Sequence, residues 1–153
     1  MDTKYKIRRK NKVRLWHKSL IPYLDRQHLL GQHRECCALR GKGWGRKHAT
    51  VDYVFKHEPM RLFRYHFNIL IEMANRGYNF SDEWIEITYR GKSVEPYKDV
   101  VSMITENDEY DFPVYPEHND EYLIECLENL DMKNAPIDWK AIKDKFEYER
   151  KYK

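Results

Sequence analysis

The sequence is poor in the residues that mark special classes of chain. Six glycines and six prolines in 153 residues exclude collagen-like and proline-rich chains. Three cysteines, of which Cys36 and Cys37 are adjacent, are too few for a disulfide framework and predict a reducing, cytoplasmic location. No apolar run approaches the roughly 18 residues that cross a bilayer, so we expect no contact with a membrane and no secretory signal.

Net charge is also small, at +3, but it is unevenly distributed. Residues 1–50 contain fourteen Lys and Arg against three Asp and Glu, whereas residues 93–131 contain twelve acidic residues and one base. A basic block near aromatic residues favours a polyanion surface, because phosphate neutralisation supplies most non-specific affinity for nucleic acids. The alternative is that the acidic segment folds back and cancels the basic one.

Apolar periodicity predicts a mostly α fold, with three to four helices and long loops in a single compact domain over residues 14–153. Residues 1–13 are expected to form a basic, disordered extension. The predicted helices cover residues 22–40, 59–76 and 117–130, and a fourth begins after Asp138 as N-cap. The expected core stripe of the second helix consists of Phe63, Phe67, Leu70 and Ala74, flanked by Leu62, Ile69 and Met73. Between Trp84 and Tyr97 we expect a short hairpin or an extended loop.

One face of the first predicted helix has an unusual composition. At 100° per residue, one arc of it contains Leu24, Gln27, His28, Gly31, Arg34, Glu35 and Ala38. A solvated face would carry longer side chains, and a glycine inside a helix costs about 1 kcal/mol. This face therefore predicts a groove for a ligand that approaches the helix closely.

These residues also carry a resemblance to a known family. The run Asp25-Arg-Gln-His-Leu-Leu-Gly-Gln-His-Arg-Glu35 resembles the first helix of the phage pyrimidine-dimer DNA glycosylases of the endonuclease V type. Gly45-Arg-Lys-His48 and Met73-Ala-Asn-Arg-Gly-Tyr-Asn79 are similar to two later stretches of that family, and Tyr89-Arg-Gly91 and Tyr115-Pro-Glu-His118 match more loosely. A bacterial subgroup of the same superfamily, whose members open Met-Arg-Leu-Trp-His, resembles the chain more closely than the phage enzymes do.

The resemblance implies an endonuclease V-like fold and a glycosylase with abasic-site lyase activity that uses no cofactor and no metal. In the family a free α-amine attacks C1′ of the damaged nucleotide and forms a Schiff base. Carried over, Arg14 is the nucleophile position and Glu35 the carboxylate that assists. The implied DNA contacts are Gln27, His28, Arg34, Arg40, Lys42, Arg46, Lys47 and His48. The implied partner is damaged double-stranded DNA, bound by a nucleoid-associated monomer.

The sequence departs from the family at the nucleophile. Arg14 follows thirteen other residues, so its nitrogen belongs to a peptide bond; a chain that starts at Val13 would place an α-amine one position earlier. Ala38 replaces a second arginine of the family helix. The aromatic C-terminal loop of the family has no clear counterpart, although Trp139, Tyr148 and Tyr152 lie in that region.

Three alternatives stay open. His33, Cys36 and Cys37 could bind zinc with Cys126 or His28, although a core histidine packed among small hydrophobic cysteines explains them better. Lys18 or Lys47 could supply an internal amine. A non-catalytic helical DNA-binding protein could use the same basic groove; it predicts tight binding to undamaged DNA and no covalent adduct.

Overall fold

The computed structural model describes residues 14–41, 51–105 and 114–152. Over these ranges the chain forms four α-helices and no strand. The helices are α1 (Arg26–Arg40), α2 (Pro59–Asn75), α3 (Asp120–Met132) and α4 (Trp139–Tyr152). Short 3-10 helices cover Lys18–Tyr23, Asp52–Lys56, Asp82–Ile85 and Val101–Met103. The predicted mostly α class is confirmed, and the predicted extension 1–13 falls outside the described residues.

Helix α1 begins later than predicted. Pro22 lies in the preceding 3-10 helix, and Asp25 has an extended backbone and acts as N-cap of α1. Leu24, predicted to line the groove, lies before the helix and is buried in the core. The predicted helix began too early because an apolar pattern does not show where a short 3-10 helix precedes an α-helix.

Helix α2 matches its prediction at both ends. Pro59 occupies the first turn, where a missing N–H costs nothing. Gly77 follows the C-cap at a φ of 77°, and the N–H of Tyr78 donates to the carbonyl of Met73 at 2.8 Å. Most of the predicted core stripe is buried, namely Leu62, Phe63, Ile69, Leu70 and Met73. Two of its members, Phe67 and Ala74, are exposed, and Tyr65 is buried in addition.

Helices α3 and α4 pack against each other, and α1 packs against α2. The Asp138 carboxylate accepts the N–H of Ala141 at 3.0 Å, as predicted for an N-cap. Ile142 is buried beneath it. The segment between Trp84 and Tyr97 contains a 3-10 helix and turns, which corresponds to the extended loop and not to the hairpin.

One continuous apolar core joins these elements. Its fully buried aliphatic side chains include Leu15, Leu20, Leu29, Ile69, Leu127 and Leu130. The chain between residues 14 and 24 crosses α2 and brings the start of the described chain against α1. No helix in the described ranges combines the length and the apolar character needed to cross a membrane.

Candidate active site

Gln32 connects the start of the described chain to Glu35. Its side chain is buried. Its Nε2 donates to the Arg14 carbonyl at 3.0 Å and to Glu35 Oε2 at 2.7 Å. Its Oε1 accepts the Trp16 N–H at 2.7 Å and lies 2.8 Å from the Tyr65 hydroxyl. Both ends of the amide are satisfied, so the carboxylate and the backbone at residue 14 are held in a fixed relation.

Glu35 projects from the middle of α1 into this site. Burial raises the pKa of its carboxyl to about 7, and Lys133, Gln32 and Arg34 partly oppose that rise. A carboxyl with this pKa is partly protonated at neutral pH, so it can donate or accept a proton there. This is the behaviour expected of a general acid or base.

The buried Trp16 ring lies among three basic side chains. The Arg14 guanidinium and Lys133 Nζ lie 5.8 and 5.5 Å from its centroid, and the His28 ring meets it edge-on at 5.9 Å. Three basic side chains around one indole make this region attractive to an anion. The Arg14 side chain itself is buried and lies 3.5 Å from the Glu125 carboxylate.

The predicted groove face of α1 is accessible over most of its length. Gln27 and Arg34 are exposed, and His28 is half-buried with its Nδ1 2.6 Å from the Asp25 carboxylate. A Cβ built on Gly31 would meet only the flexible end of Arg34, at 3.7 Å. The open space above Gly31 is therefore large enough for a close approach by a ligand.

Arg40 does not have the position expected of a phosphate contact. It is buried, and its guanidinium donates to the carbonyls of Trp84, Glu86 and Tyr89 at 2.8 to 2.9 Å. It also lies 5.2 Å from the Phe63 ring centroid. Arg40 therefore holds the 84–89 segment against α1, and the prediction that it grips DNA is corrected.

Four other predicted DNA contacts, Lys42, Arg46, Lys47 and His48, lie outside the described residues. Lys47, one of the two lysines considered as an internal amine, is one of these four residues. Lys18 is half-buried in the first 3-10 helix, and burial together with the nearby Arg64 lowers its pKa.

A different cluster on α1 and α2 has the donor set of a metal site. His33, Cys37 and His66 place their ligand atoms within 4.8 Å of one another. Arg40 Nη1 lies 3.0 Å from His66 Nδ1, and because a guanidinium only donates, Nδ1 must be the unprotonated nitrogen. The ring proton is then on His66 Nε2, 2.9 Å from His33 Nδ1.

A metal ion bound at His66 Nε2 would displace that proton and would lie close to the Arg40 cation. Burial and the Arg40 charge lower the pKa of His66 well below its usual range, so the ring is neutral. The two remaining cysteines are buried in the core. The residues are therefore better explained as a neutral hydrogen-bond chain from Arg40 to His33 than as a metal centre.

Three residues of the Glu35 site were missed by the sequence analysis: Trp16, Gln32 and Lys133. Gln32 had a usable signal, since a glutamine among apolar positions of an amphipathic helix must find partners when it is buried. No sequence signal pointed to Lys133, because only the packing of α3 brings it near this part of the chain.

The family model described as pyrimidine dimer DNA glycosylase matches residues 13–86, a segment that contains Arg14, Trp16, Gln32 and Glu35 but not Lys133. No curated protein and no solved structure matches the chain. The match covers the 3-10 helix at Lys18–Tyr23, α1, α2 and the start of the 84–97 loop. It places residues 13–86 in the pyrimidine dimer DNA glycosylase superfamily.

Proposed function

We propose that this chain is a base-excision repair DNA glycosylase with abasic-site lyase activity on damaged duplex DNA, acting on pyrimidine dimers or abasic sites. The matching family is named for glycosylases of this kind. A DNA substrate implies a nucleoid-associated, cytoplasmic protein, and we expect it to act as a monomer without a cofactor.

The observation that carries this proposal is that the Gln32 side chain bonds to both Arg14 and Glu35. One amide group donates to the backbone at residue 14, at 3.0 Å, and to the Glu35 carboxylate, at 2.7 Å. A chain processed to begin at residue 13 or 14 would therefore have its α-amine close to a carboxyl that exchanges protons near neutral pH. That combination is what amine-dependent cleavage requires.

An α-amine suits this chemistry because its pKa of about 7.7 leaves a substantial neutral fraction at pH 7, whereas an unperturbed lysine at about 10.4 has almost none. The neutral nitrogen attacks C1′ and displaces the damaged base. The bond between C1′ and the ring oxygen of the sugar then breaks, which gives a Schiff base. Glu35 stabilises the developing positive charge on the sugar and moves protons between steps.

The accessible face of α1 would contact the substrate. Gln27 and Arg34 are exposed one on each side of Gly31, and they are placed to hold phosphates or a nucleotide extruded from the duplex. Enzymes that act on a base inside a duplex must extrude it, so a helix with open space at its centre fits this reaction.

The test is borohydride trapping on a duplex that contains an abasic site or a cyclobutane dimer. Four proteins are compared: the chain of 153 residues, a version that starts at position 13, and the Glu35→Gln variant of each. A trapped adduct that is lost or slowed in Glu35→Gln supports the lyase. The exposed Glu95→Gln serves as the matched control and should trap normally.

If no version is trapped although all bind the duplex, the lyase proposal fails. The non-catalytic DNA-binding protein would then explain the site better, and tight binding to undamaged DNA would support it.

A further inference from the structure

A buried tyrosine on α2 lies behind the Gln32 amide. Tyr65 has no exposed surface, and its hydroxyl lies 2.6 Å from the carbonyl oxygen of Trp16 and 2.8 Å from Oε1 of Gln32. Both partners are acceptors, so the single hydroxyl proton is shared between them. The His118 ring packs edge-on against the Tyr65 ring, with 5.8 Å between the centroids. Tyr65 therefore joins α2 both to α1 and to the start of the described chain.

The partners of Gln32 determine which way its amide points. Oε1 faces two donors, the Trp16 N–H at 2.7 Å and the Tyr65 O–H. Nε2 faces two acceptors, the Arg14 carbonyl at 3.0 Å and Glu35 Oε2 at 2.7 Å. An amide turned the other way would set donor against donor at Trp16 and oxygen against oxygen at Glu35. The two donors at Oε1 therefore keep Nε2 facing the carboxylate.

The Tyr65 hydroxyl is a permanent donor in this arrangement. Burial raises its pKa well above the usual range, so the hydroxyl keeps its proton at any pH at which the protein would act. Without that hydroxyl, Oε1 of Gln32 would keep only the Trp16 N–H, and the Trp16 carbonyl would lose a donor. A buried acceptor without a donor is costly, so the amide would be free to turn away from Glu35.

We propose that Tyr65 is a positioning residue for the reaction: by donating to Oε1 of Gln32, it keeps Nε2 of that amide on the Glu35 carboxylate. This inference rests on the proposed function, to which it adds a buried residue that acts through Gln32 and not on the substrate.

The consequence can be measured at Glu35 without any substrate. A hydrogen bond to a carboxylate favours its ionised form, and the bond from Gln32 opposes the rise that burial causes in the pKa of Glu35. Tyr65→Phe should therefore raise the pKa of Glu35 further, by about 0.5 to 1, which makes it a roughly three- to tenfold weaker acid. The charged groups that act on Glu35, Lys133 on α3 and Arg34 on α1, are unchanged in this variant.

The experiment follows the side-chain carboxyl ¹³C resonance of Glu35 as the pH is varied, in protein labelled at glutamate. The Glu35 signal is the one that Glu35→Gln lacks. Tyr53→Phe is the matched control, because its hydroxyl bonds instead to His118 Nε2 at 2.7 Å, and it should leave the pKa of Glu35 unchanged. Gln32→Met removes the intermediary, and in that background Tyr65→Phe should add no further rise.

Three results would overturn the proposal: an unchanged Glu35 pKa in Tyr65→Phe, an equal rise in Tyr53→Phe, or a full additional rise in the Gln32→Met background. A second measurement uses the unmodified chain and decides the question even if Tyr65→Phe folds poorly. The Tyr65 hydroxyl proton should exchange slowly with water and show a nuclear Overhauser effect to the Trp16 N–H, since both protons point at one oxygen. A hydroxyl that exchanges fast and lacks this contact overturns the proposal as well.

Borohydride trapping separates this inference from the function. In any version that traps, the pH midpoint of trapping should rise in Tyr65→Phe by as much as the pKa of Glu35. A raised Glu35 pKa without trapping by any version supports the contact and overturns the lyase. Trapping with an unchanged Glu35 pKa keeps the lyase and overturns the role of Tyr65.

Discussion

Replacing Glu35 by glutamine should stabilise the protein, and the gain should depend on pH. Glutamine has the same shape, and its Oε1 can accept the same bond from Gln32. The carboxyl differs because burial raises its pKa from 4.5 to about 7. At 1.36 kcal/mol per pKa unit, ionised Glu35 costs the folded state about 3 kcal/mol relative to a glutamate in the unfolded chain.

The sign follows from proton binding. Between pH 4.5 and 7 the unfolded chain releases the Glu35 proton while the folded chain keeps it, so raising the pH through this window lowers the free energy of unfolding. Above about pH 7 both states are ionised and the cost is constant. Glu35→Gln does not titrate, so we expect its advantage to be roughly 1 kcal/mol at pH 5 and about 3 kcal/mol at pH 8.

The assay is urea unfolding followed by tryptophan fluorescence at pH 5, 6, 7 and 8, with the slope m compared between the proteins. The exposed Glu95→Gln, which removes the same formal charge, should show no such rise. An advantage of Glu35→Gln that is equal at all four pH values, or a loss of stability at pH 8, would refute the argument that a half-buried carboxyl with a raised pKa occupies this site.

Three further outcomes follow from the structure. Gly31→Ala should raise the free energy of unfolding, measured in urea, by up to about 1 kcal/mol, because the new Cβ meets only Arg34 at 3.7 Å, and should weaken binding of an abasic duplex in fluorescence anisotropy; equal affinity would exclude a close approach at this point. Arg40→Met should cost roughly 3 kcal/mol or more in urea, since three carbonyls lose their donor; a neutral result would contradict its structural role. Burial lowers the pKa of His118 to about 3 and that of His66 well below its usual range, so both contribute stability above about pH 6.5 that is lost as the pH falls. The loss at His118 should be about 2 kcal/mol between pH 7 and 5, and His66 should add a loss of the same sign; a Tm of the Glu35→Gln variant that does not drop over this range would contradict it.

The sequence predicted the parts of the fold that depend on neighbours along the chain. Asp138 caps α4 because its carboxylate reaches an N–H three residues later, and Pro59 and Gly77 bound α2 through their own backbone preferences. Such signals act within one helical turn. The same reasoning placed Phe67 on the buried side of α2, because apolar spacing alone does not say which of two adjacent stripes meets a neighbouring helix.

The site was predicted less completely, because its geometry depends on contacts between distant residues. Arg40 looked like part of a basic surface, yet the carbonyls that bind it are 44 to 49 residues further along the chain. Lys133 follows an acidic helix and nothing near it suggests a position beside Trp16. Only the packing of the end of α3 against the chain around Trp16 brings its Nζ to 5.5 Å from the Trp16 ring centroid. Residues whose roles need two remote segments are the ones that local patterns miss.

The stability cost at Glu35 favours a function over a structural role. Gln32 needs an acceptor for its Nε2, and a neutral amide at position 35 would supply one without the cost of burying a carboxylate. Gly31, one turn earlier, gives up helix stability on the same face without any steric need, since its Cβ space is nearly empty. Gly31 and Glu35 therefore each lower the stability of the protein, and both lie on one face of α1. Packing alone does not explain why both are present there. A reactive carboxyl and room for a substrate account for both, and natural proteins accept such costs mainly at functional sites.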